Sequence, residues 1–224
     1  MKQKYLIQDH YPRLLLFFAG WGADATPFQE YRPQGCDFQV CYDYRTLDMD
    51  TTGWECYQEI HVVGWSMGVW AATQLIQQKR WTQGGRRIAI NGTPYPMDDL
   101  RGIPETIFRG TLEGLTDVSL HKFLRRMCAD STAFRQFLEV TPRRPLEELR
   151  KELSTILTTI EAEGYPSEMP AWDEAVVGSA DRIIPPANQL AAWQGMQVPV
   201  RTTEDAHYAQ SLFKHYLNDL WTND

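Results

Sequence analysis

The stretch Ile60-His61-Val62-Val63-Gly64-Trp65-Ser66-Met67-Gly68 decides the fold. Its first residues form a short apolar run, which suits a strand that is buried on both faces. The residues from 67 to 79 have a helical pattern, so the chain is expected to turn sharply from strand to helix at Ser66. Glycine stands on both sides of this turn, where a larger side chain would crowd the backbone. The pattern therefore predicts a serine hydroxyl raised above the end of a sheet.

Further apolar runs predict the rest of the sheet. Strands are expected at 14–18, 38–42, 87–90, 175–178 and 198–201, and helices at 186–194 and 208–221. Short strands that alternate with helices indicate an α/β protein with a mostly parallel central sheet and helices on both of its faces. We expect one domain over residues 1–224.

The middle of the chain has a different pattern. No strand is expected between Pro94 and Pro170, where two apolar stripes at 118–138 and 146–160 have helical spacing. A helical insertion, or lid, is therefore predicted at about residues 95–170.

Composition excludes several classes of protein. A net charge of −7 over 224 residues argues against a general nucleic-acid binder. The four cysteines have no CxxC spacing and no clustered histidine, so we expect neither a metal nor a redox cofactor, and a cytoplasmic location. Residues 60–78 are uncharged but include polar side chains and change period at Gly64, which favours a strand plus a helix over a membrane span. The N-terminal apolar run is too short for a signal peptide.

Ser66 needs a base to become a nucleophile, and that base needs an orienting acid. In this kind of architecture the three residues follow the chain order serine, acid, histidine. His207 is the predicted base because it lies in a short loop between a late strand and the last helix. Asp181 is the predicted acid because its loop follows the strand 175–178 at the same edge of the sheet. Asp205, two residues before His207, is the competing acid.

An ester carbonyl under attack also needs two backbone N–H donors for its developing negative charge. One predicted donor is the amide of Met67, which directly follows the serine. The other is the amide of Trp21 in Ala19-Gly20-Trp21-Gly22, where the glycines allow the backbone to come close to a ligand. A glycine-rich turn with Trp21 in a packing role is the alternative.

These residues resemble a known family. Three segments carry the resemblance: Phe17-Phe18-Ala19-Gly20-Trp21-Gly22, Tyr42-Asp43-Tyr44-Arg45 and Val63-Gly64-Trp65-Ser66-Met67-Gly68-Val69-Trp70-Ala71-Ala72. The chain looks like an α/β-hydrolase over most of its length and, on residues 14–72, like the BioG-type pimeloyl-[acyl-carrier protein] methyl ester esterases of biotin synthesis. The resemblance implies methyl ester hydrolysis, a triad of Ser66, Asp181 and His207, and an oxyanion hole at Trp21 and Met67. Ala19 departs from the wider class, in which histidine often stands at this position.

A basic stretch in the predicted lid suggests a partner. From Lys122 to Lys151 there are eight basic and four acidic residues, a net charge of +4 in a chain of −7. Acyl-carrier proteins are acidic, so basic side chains beside the entrance would steer their docking. The candidates are Arg125, Arg126, Arg143, Arg144 and Arg150. An ordinary solvated helix face is the alternative.

Two other functions compete with this hypothesis. One is a broader short-chain carboxylesterase or thioesterase, and the other is a non-catalytic binding protein with a hydrolase-like fold. The second is disfavoured because all three triad residue types occur in the required order. We expect a monomer that has no nucleic-acid or membrane partner.

Overall fold

The structure is a computed structural model that describes residues 1–78 and 83–221. Its centre is one sheet of seven strands in the order β1-β3-β2-β4-β5-β6-β7. The strands are β1 (Lys2–Ile7), β2 (Arg13–Phe18), β3 (Cys36–Tyr42), β4 (Glu59–Trp65), β5 (Arg87–Ile90), β6 (Glu174–Gly178) and β7 (Val200–Thr203). β1 pairs antiparallel with β3, and the other pairings are parallel.

Strand β2 is apolar from Leu14 to Phe18 because the sheet is covered on both faces. In β2, Leu14, Leu16 and Phe18 contribute to the hydrophobic core on one face, and Leu15 and Phe17 to the core on the other. All five side chains are fully buried. Helices α1 (Met67–Gln77) and α6 (Pro186–Gly195) pack into the first core, and α7 (Gln210–Leu217) packs into the second.

Four helices lie between β5 and β6, in the segment called the lid. They are α2 (Glu105–Glu113), α3 (Asp117–Met127), α4 (Ser131–Glu139) and α5 (Leu146–Glu163). The stripe at 118–138 forms two helices and not one. Asp130 separates them, because its carboxylate accepts hydrogen bonds from the amides of Thr132 and Ala133 and so caps the start of α4.

Among the described residues, one strand and one α-helix were not predicted. Strand β1 lies at the edge of the sheet and alternates exposed with half-buried residues, so its lysines and glutamine hide the strand pattern. Helix α2 buries only Phe108 fully and therefore shows little apolar periodicity. The predicted end of helix α1 at Lys79 lies outside the described residues.

The last helix is shorter than expected, because α7 ends at Leu217 and a separate 3₁₀ turn, Asp219–Trp221, follows it. None of the helices in the described ranges is long and apolar enough to cross a membrane.

Candidate active site

Ser66 occupies a strained turn at the end of β4. Its φ is 56° and its ψ is −126°, a backbone conformation that L residues seldom adopt. The turn lies close to the carboxyl end of β2, because a Cβ atom on Gly68 would lie 2.0 Å from the carbonyl oxygen of Phe18. Glycine at position 68 therefore lets helix α1 start directly beneath the serine, as the sequence motif implies.

Ser66, His207 and Asp181 form a chain of hydrogen bonds, called the triad below. The Nε2 atom of His207 lies 2.9 Å from the Oγ atom of Ser66, and its Nδ1 atom lies 2.8 Å from Oδ2 of Asp181. A carboxylate can only accept, so Nδ1 carries the proton and Nε2 faces the serine as an acceptor. All three residues are buried. The structure thus brings together the three residues that the sequence analysis selected.

The competing acid lies elsewhere. The carboxylate of Asp205 accepts a hydrogen bond of 2.7 Å from the hydroxyl of Ser211 in helix α7. Its backbone carbonyl accepts a hydrogen bond from the amide of Ala180. Asp205 therefore holds its loop in place, while Asp181 contacts the imidazole of His207.

Asn91 supports the triad, and the sequence analysis did not find it. This fully buried residue follows β5 with a φ of 45°. Its side-chain amide donates to the carbonyl oxygens of Ala206 and His207 at 2.8 and 3.1 Å, and its Oδ1 accepts from the amide of Gly178 at 2.7 Å. One side chain therefore joins the end of β6 to the histidine loop.

The residues on either side of His207 are also anchored. The indole Nε1 of Trp65 donates to the carbonyl oxygen of His207 at 2.9 Å. The amide of Tyr208 donates to the carbonyl oxygen of Met127, the last residue of lid helix α3, at 2.9 Å. The loop that carries the histidine thus contacts the sheet domain and the lid at once.

The two predicted oxyanion donors both line a cavity beside Ser66. Among the described residues, no backbone acceptor is found for the amides of Trp21 and Met67. Residues 19–23, called the glycine loop below, follow β2. The hydroxyl of Tyr44 donates to the carbonyl oxygen of Ala19 at 2.6 Å and so holds this loop from below.

The cavity is small and mostly apolar. Its apolar lining includes Ile103, Phe108, Phe123, Leu153 and Ile183, and Arg126 adds a guanidinium. Its free volume is about 30 Å³, which is room for about two water molecules. A groove of about 380 Å³ between α2 and α3 adjoins it, and both spaces are lined by Ile107, Thr111, Phe123 and Arg126. An acyl chain would therefore need the lid to move.

The five predicted docking arginines lie in two different environments. Arg125, Arg126 and Arg143 are exposed on the lid. Lys122, one helical turn before Arg126, lines the same groove. These positive side chains lie where an acidic partner could reach them.

Arg144 needs correction, because it is buried and not part of a docking surface. Its side chain is only 5% exposed and lies between two carboxylates, 2.9 Å from Asp43 and 2.6 Å from Glu152. Burial alone would raise the pKa of Asp43, but Arg45, Arg144 and Lys2 outweigh it and lower that pKa to about 2. Burial raises the pKa of Glu152, against the opposing effect of Arg144.

Arg150 needs a similar correction. Its half-buried guanidinium donates to the carbonyl oxygens of Leu112 and Leu115, where helix α2 ends. Cations near a helix C-terminus satisfy its last carbonyl groups. Arg150 therefore joins α5 to α2 inside the lid. Over the part of the chain that is described, no cluster of three or more His, Cys, Asp or Glu side chains is placed to hold a metal ion.

Comparison with known structures identifies the class. A TM-score of 0.62 relates the chain to MGS-M2, an alpha/beta hydrolase enzyme from a Medee basin deep-sea metagenome library, at 11% identity over 96% of this chain and 91% of that one. The parallel sheet, the serine turn after β4 and the lid after β5 are those of an α/β-hydrolase, and this protein has that fold.

The chain belongs to the BioG family, since the family model described as "Pimeloyl-ACP methyl esterase BioG" matches residues 1–218. The crystal structure of BioG from Haemophilus influenzae is similar, with a TM-score of 0.87 and 37% identity over 99% of this chain and 100% of that one. A Bacteroides fragilis protein named malonyl-[acyl-carrier protein] O-methyltransferase is 47% identical over 207 residues. The match covers 91% of this chain but only 41% of that relative's length.

Proposed function

We propose that this protein is a carboxylic ester hydrolase that cleaves the methyl ester of pimeloyl-[acyl-carrier protein] in biotin synthesis. The observation that carries the proposal is the buried chain from Asp181 through His207 to Ser66, beside the amides of Trp21 and Met67. Nucleophile, base, orienting acid and oxyanion donors are the groups that acyl transfer from an ester requires.

The reaction would proceed in two steps. Ser66 Oγ attacks the ester carbonyl carbon while Nε2 of His207 takes the hydroxyl proton. The negative charge that develops on the carbonyl oxygen is stabilised by the amides of Trp21 and Met67. The tetrahedral intermediate collapses, the bond to the methoxy group breaks, and His207 returns the proton so that methanol leaves. A water molecule then attacks the acyl-enzyme with His207 as base, which frees the carboxylate and restores Ser66.

Asp181 would orient the imidazole of His207 throughout the cycle. Its Oδ2 atom holds the Nδ1 proton of His207 and favours the imidazolium that forms when the serine proton is taken.

Three observations support an acyl chain on a carrier protein. The cavity wall is mostly apolar, as the methylene groups of a dicarboxylate half-ester require. Exposed cations border the groove that adjoins it, where an acidic carrier could dock. The names of the matching family and of the Bacteroides relative both refer to acyl-carrier proteins.

The bond that is broken distinguishes this function from a thioesterase. Pimeloyl-[acyl-carrier protein] methyl ester has a methyl ester at one end and a thioester at the other. We expect mass spectrometry of the carrier to show loss of one CH₂ unit, as methyl becomes hydrogen, with release of methanol. Release of the whole acyl chain would instead identify a thioesterase.

A second comparison tests the carrier and the chemistry separately. The kcat/KM for the carrier-bound ester should exceed that for a free short-chain methyl ester. Equal values for the two would indicate a broad carboxylesterase. A fluorophosphonate should label the folded wild-type protein at Ser66, and Ser66→Ala should abolish the label. An unlabelled wild-type protein would contradict catalysis altogether.

A further inference from the structure

Gln189 is a fully buried polar residue that no step of the reaction uses. It lies in the first turn of helix α6, which begins at Pro186. Its Nε2 atom donates to Oδ2 of Asp181 at 2.8 Å and to the carbonyl oxygen of Ile184 at 2.9 Å. The Asp181 oxygen that Gln189 contacts is therefore the one that His207 contacts, also at 2.8 Å.

The orientation of this amide follows from its neighbours. Both groups that Nε2 contacts are acceptors only, a carboxylate oxygen and a backbone carbonyl oxygen. A flipped amide would place Oε1 against both of them and lose both hydrogen bonds. In the observed orientation the buried Oε1 atom has no hydrogen-bond partner among the described residues. The side chain thus leaves one polar atom unpaired while it keeps its donor on Asp181.

The carboxylate of Asp181 is held at four points. Its Oδ1 atom accepts from the amides of Ile183 and Ile184, at 2.7 and 3.1 Å. Its Oδ2 atom accepts from Gln189 and His207. The two amides fix one oxygen, and without Gln189 the other oxygen would be held by the imidazole alone.

We propose that Gln189 is a positioning residue for the acid of the triad. Its amide fixes the rotation of the Asp181 carboxyl group, so that Oδ2 points at Nδ1 of His207. The same donor withdraws part of the negative charge that Oδ2 presents to the imidazole. The inference rests on the proposed function, because it assumes that His207 acts as the base for Ser66.

The charge effect has a measurable sign. His207 must be neutral to accept the serine proton, so activity falls at low pH, where the imidazolium forms. A donor on Oδ2 weakens the attraction between Asp181 and the imidazolium. Removal of that donor favours the imidazolium, and the acid limb of the pH–rate profile should move to higher pH.

Gln189→Met tests this directly, because it keeps the length of the side chain and removes the donor. We expect kcat to fall roughly tenfold and the acid limb to move upward by roughly half a pH unit. Gln194→Met, on an exposed position of the same helix, is the matched control and should leave both unchanged. Gln189→Leu replaces the methionine variant if thermal melting shows that it does not fold.

Gln189→Glu separates positioning from space filling. Two carboxyl groups at this distance share a proton, so the new side chain can still donate an O–H to Asp181. Its acid limb should therefore lie closer to the wild-type limb than that of Gln189→Met. Equal losses in the two variants, or an acid limb in Gln189→Met that stays in place or moves downward, would overturn the inference.

The readout should be the rate of fluorophosphonate inactivation as a function of pH, with hydrolysis of a small ester beside it. Neither probe needs the carrier protein. Failure of the wild-type protein to react would contradict the proposed function itself. A reactive wild-type protein with an unchanged Gln189→Met profile would contradict only the role of Gln189.

Discussion

The indole Nε1 of Trp21 donates a hydrogen bond of 3.0 Å to the carbonyl oxygen of Leu149, in the first turn of lid helix α5. The backbone amide of the same tryptophan is the proposed oxyanion donor. The side chain of Trp21 therefore joins the glycine loop to the lid.

Trp21→Phe should lower kcat more than it changes KM. The variant keeps an aromatic ring but loses the hydrogen bond to the Leu149 carbonyl, at a cost of about 1 kcal/mol. We expect roughly a tenfold loss in kcat as the amide shifts from its best position. Trp221→Phe removes another buried indole donor, to the carbonyl oxygen of Tyr216, and should reduce stability but not kcat. Equal kcat losses in both variants would contradict the prediction.

Asp181→Asn should reduce kcat by roughly 10³- to 10⁴-fold, because the amide cannot hold the Nδ1 proton of His207 and the imidazole adopts the wrong tautomer. Asp205→Asn is the matched control, since Asp205 contacts Ser211. It should retain most of the activity against a small ester. A larger loss in Asp205→Asn than in Asp181→Asn would reassign the acid.

Charge reversal at the exposed lid arginines tests the docking hypothesis. The triple variant Arg125→Glu, Arg126→Glu and Arg143→Glu should lower kcat/KM for the carrier-bound ester by roughly 10- to 100-fold at low salt. Arg126 also lines the cavity beside Ser66, so the small-ester control uses Arg125→Glu with Arg143→Glu, in which hydrolysis of a small ester should change little. Arg135→Glu makes the same charge change on α4, at an exposed residue away from the cavity and the groove. Unchanged kcat/KM in the triple variant would leave these arginines as ordinary solvated side chains.

Arg144→Met should destabilise the protein by about 3–5 kcal/mol, because it leaves the buried carboxylates of Asp43 and Glu152 without their shared cation. Urea unfolding measures the change. Arg109→Met removes an exposed pairing with Glu105 and Glu161 and should cost no more than about 1 kcal/mol. Similar losses in the two variants would contradict the role of the buried cluster.

We expect the free energy of unfolding to fall in mild acid because His61 is buried in its neutral form. Burial lowers its pKa to about 4 from 6.5, despite Glu59 at 3.3 Å, which opposes the shift. The folded state therefore prefers the neutral ring, whose Nδ1 accepts from the amide of Arg86. This contribution is complete above pH 6.5 and is lost as the pH falls toward 4.

The loss attributable to His61 should be about 3 kcal/mol over this window. His61→Gln should flatten this part of the curve of unfolding free energy against pH, relative to the wild-type protein. His121→Gln, at an exposed position of the lid, should leave the curve as it is. Parallel curves for His61→Gln and the wild-type protein would contradict the prediction.

Local patterns predicted most of the sheet and the serine turn. A continuous apolar run such as 14–18 is typical of a buried strand. Gly64 and Gly68 indicate a crowded turn, and both lie within five residues of sequence. The antiparallel edge strand β1 was not predicted because its polar residues face solvent. The local sequence around a residue does not show whether that residue is buried by a partner far away along the chain.

Arg144 shows this limit most clearly. Its local sequence, Arg143-Arg144-Pro145, suggests an exposed basic patch. Its partner Asp43, however, lies 101 positions away in the sequence, directly after strand β3. The roles of Asn91 and Gln189 were not predicted for the same reason. Each contacts a triad loop that only the packing of strands and helices brings near it. Their roles depend on tertiary structure, and a motif cannot encode them.

The cavity beside Ser66, with its free volume of about 30 Å³, has a consequence for selectivity in the cell. A hydrolase whose nucleophile was permanently open would consume any ester that diffused past it. The cavity in this structure has room for little more than water, so under the proposed function an ester would reach Ser66 only after the cavity lining moves. Discrimination among esters would then be set by access, and a variant with a loosened lid would become promiscuous without any change in its triad.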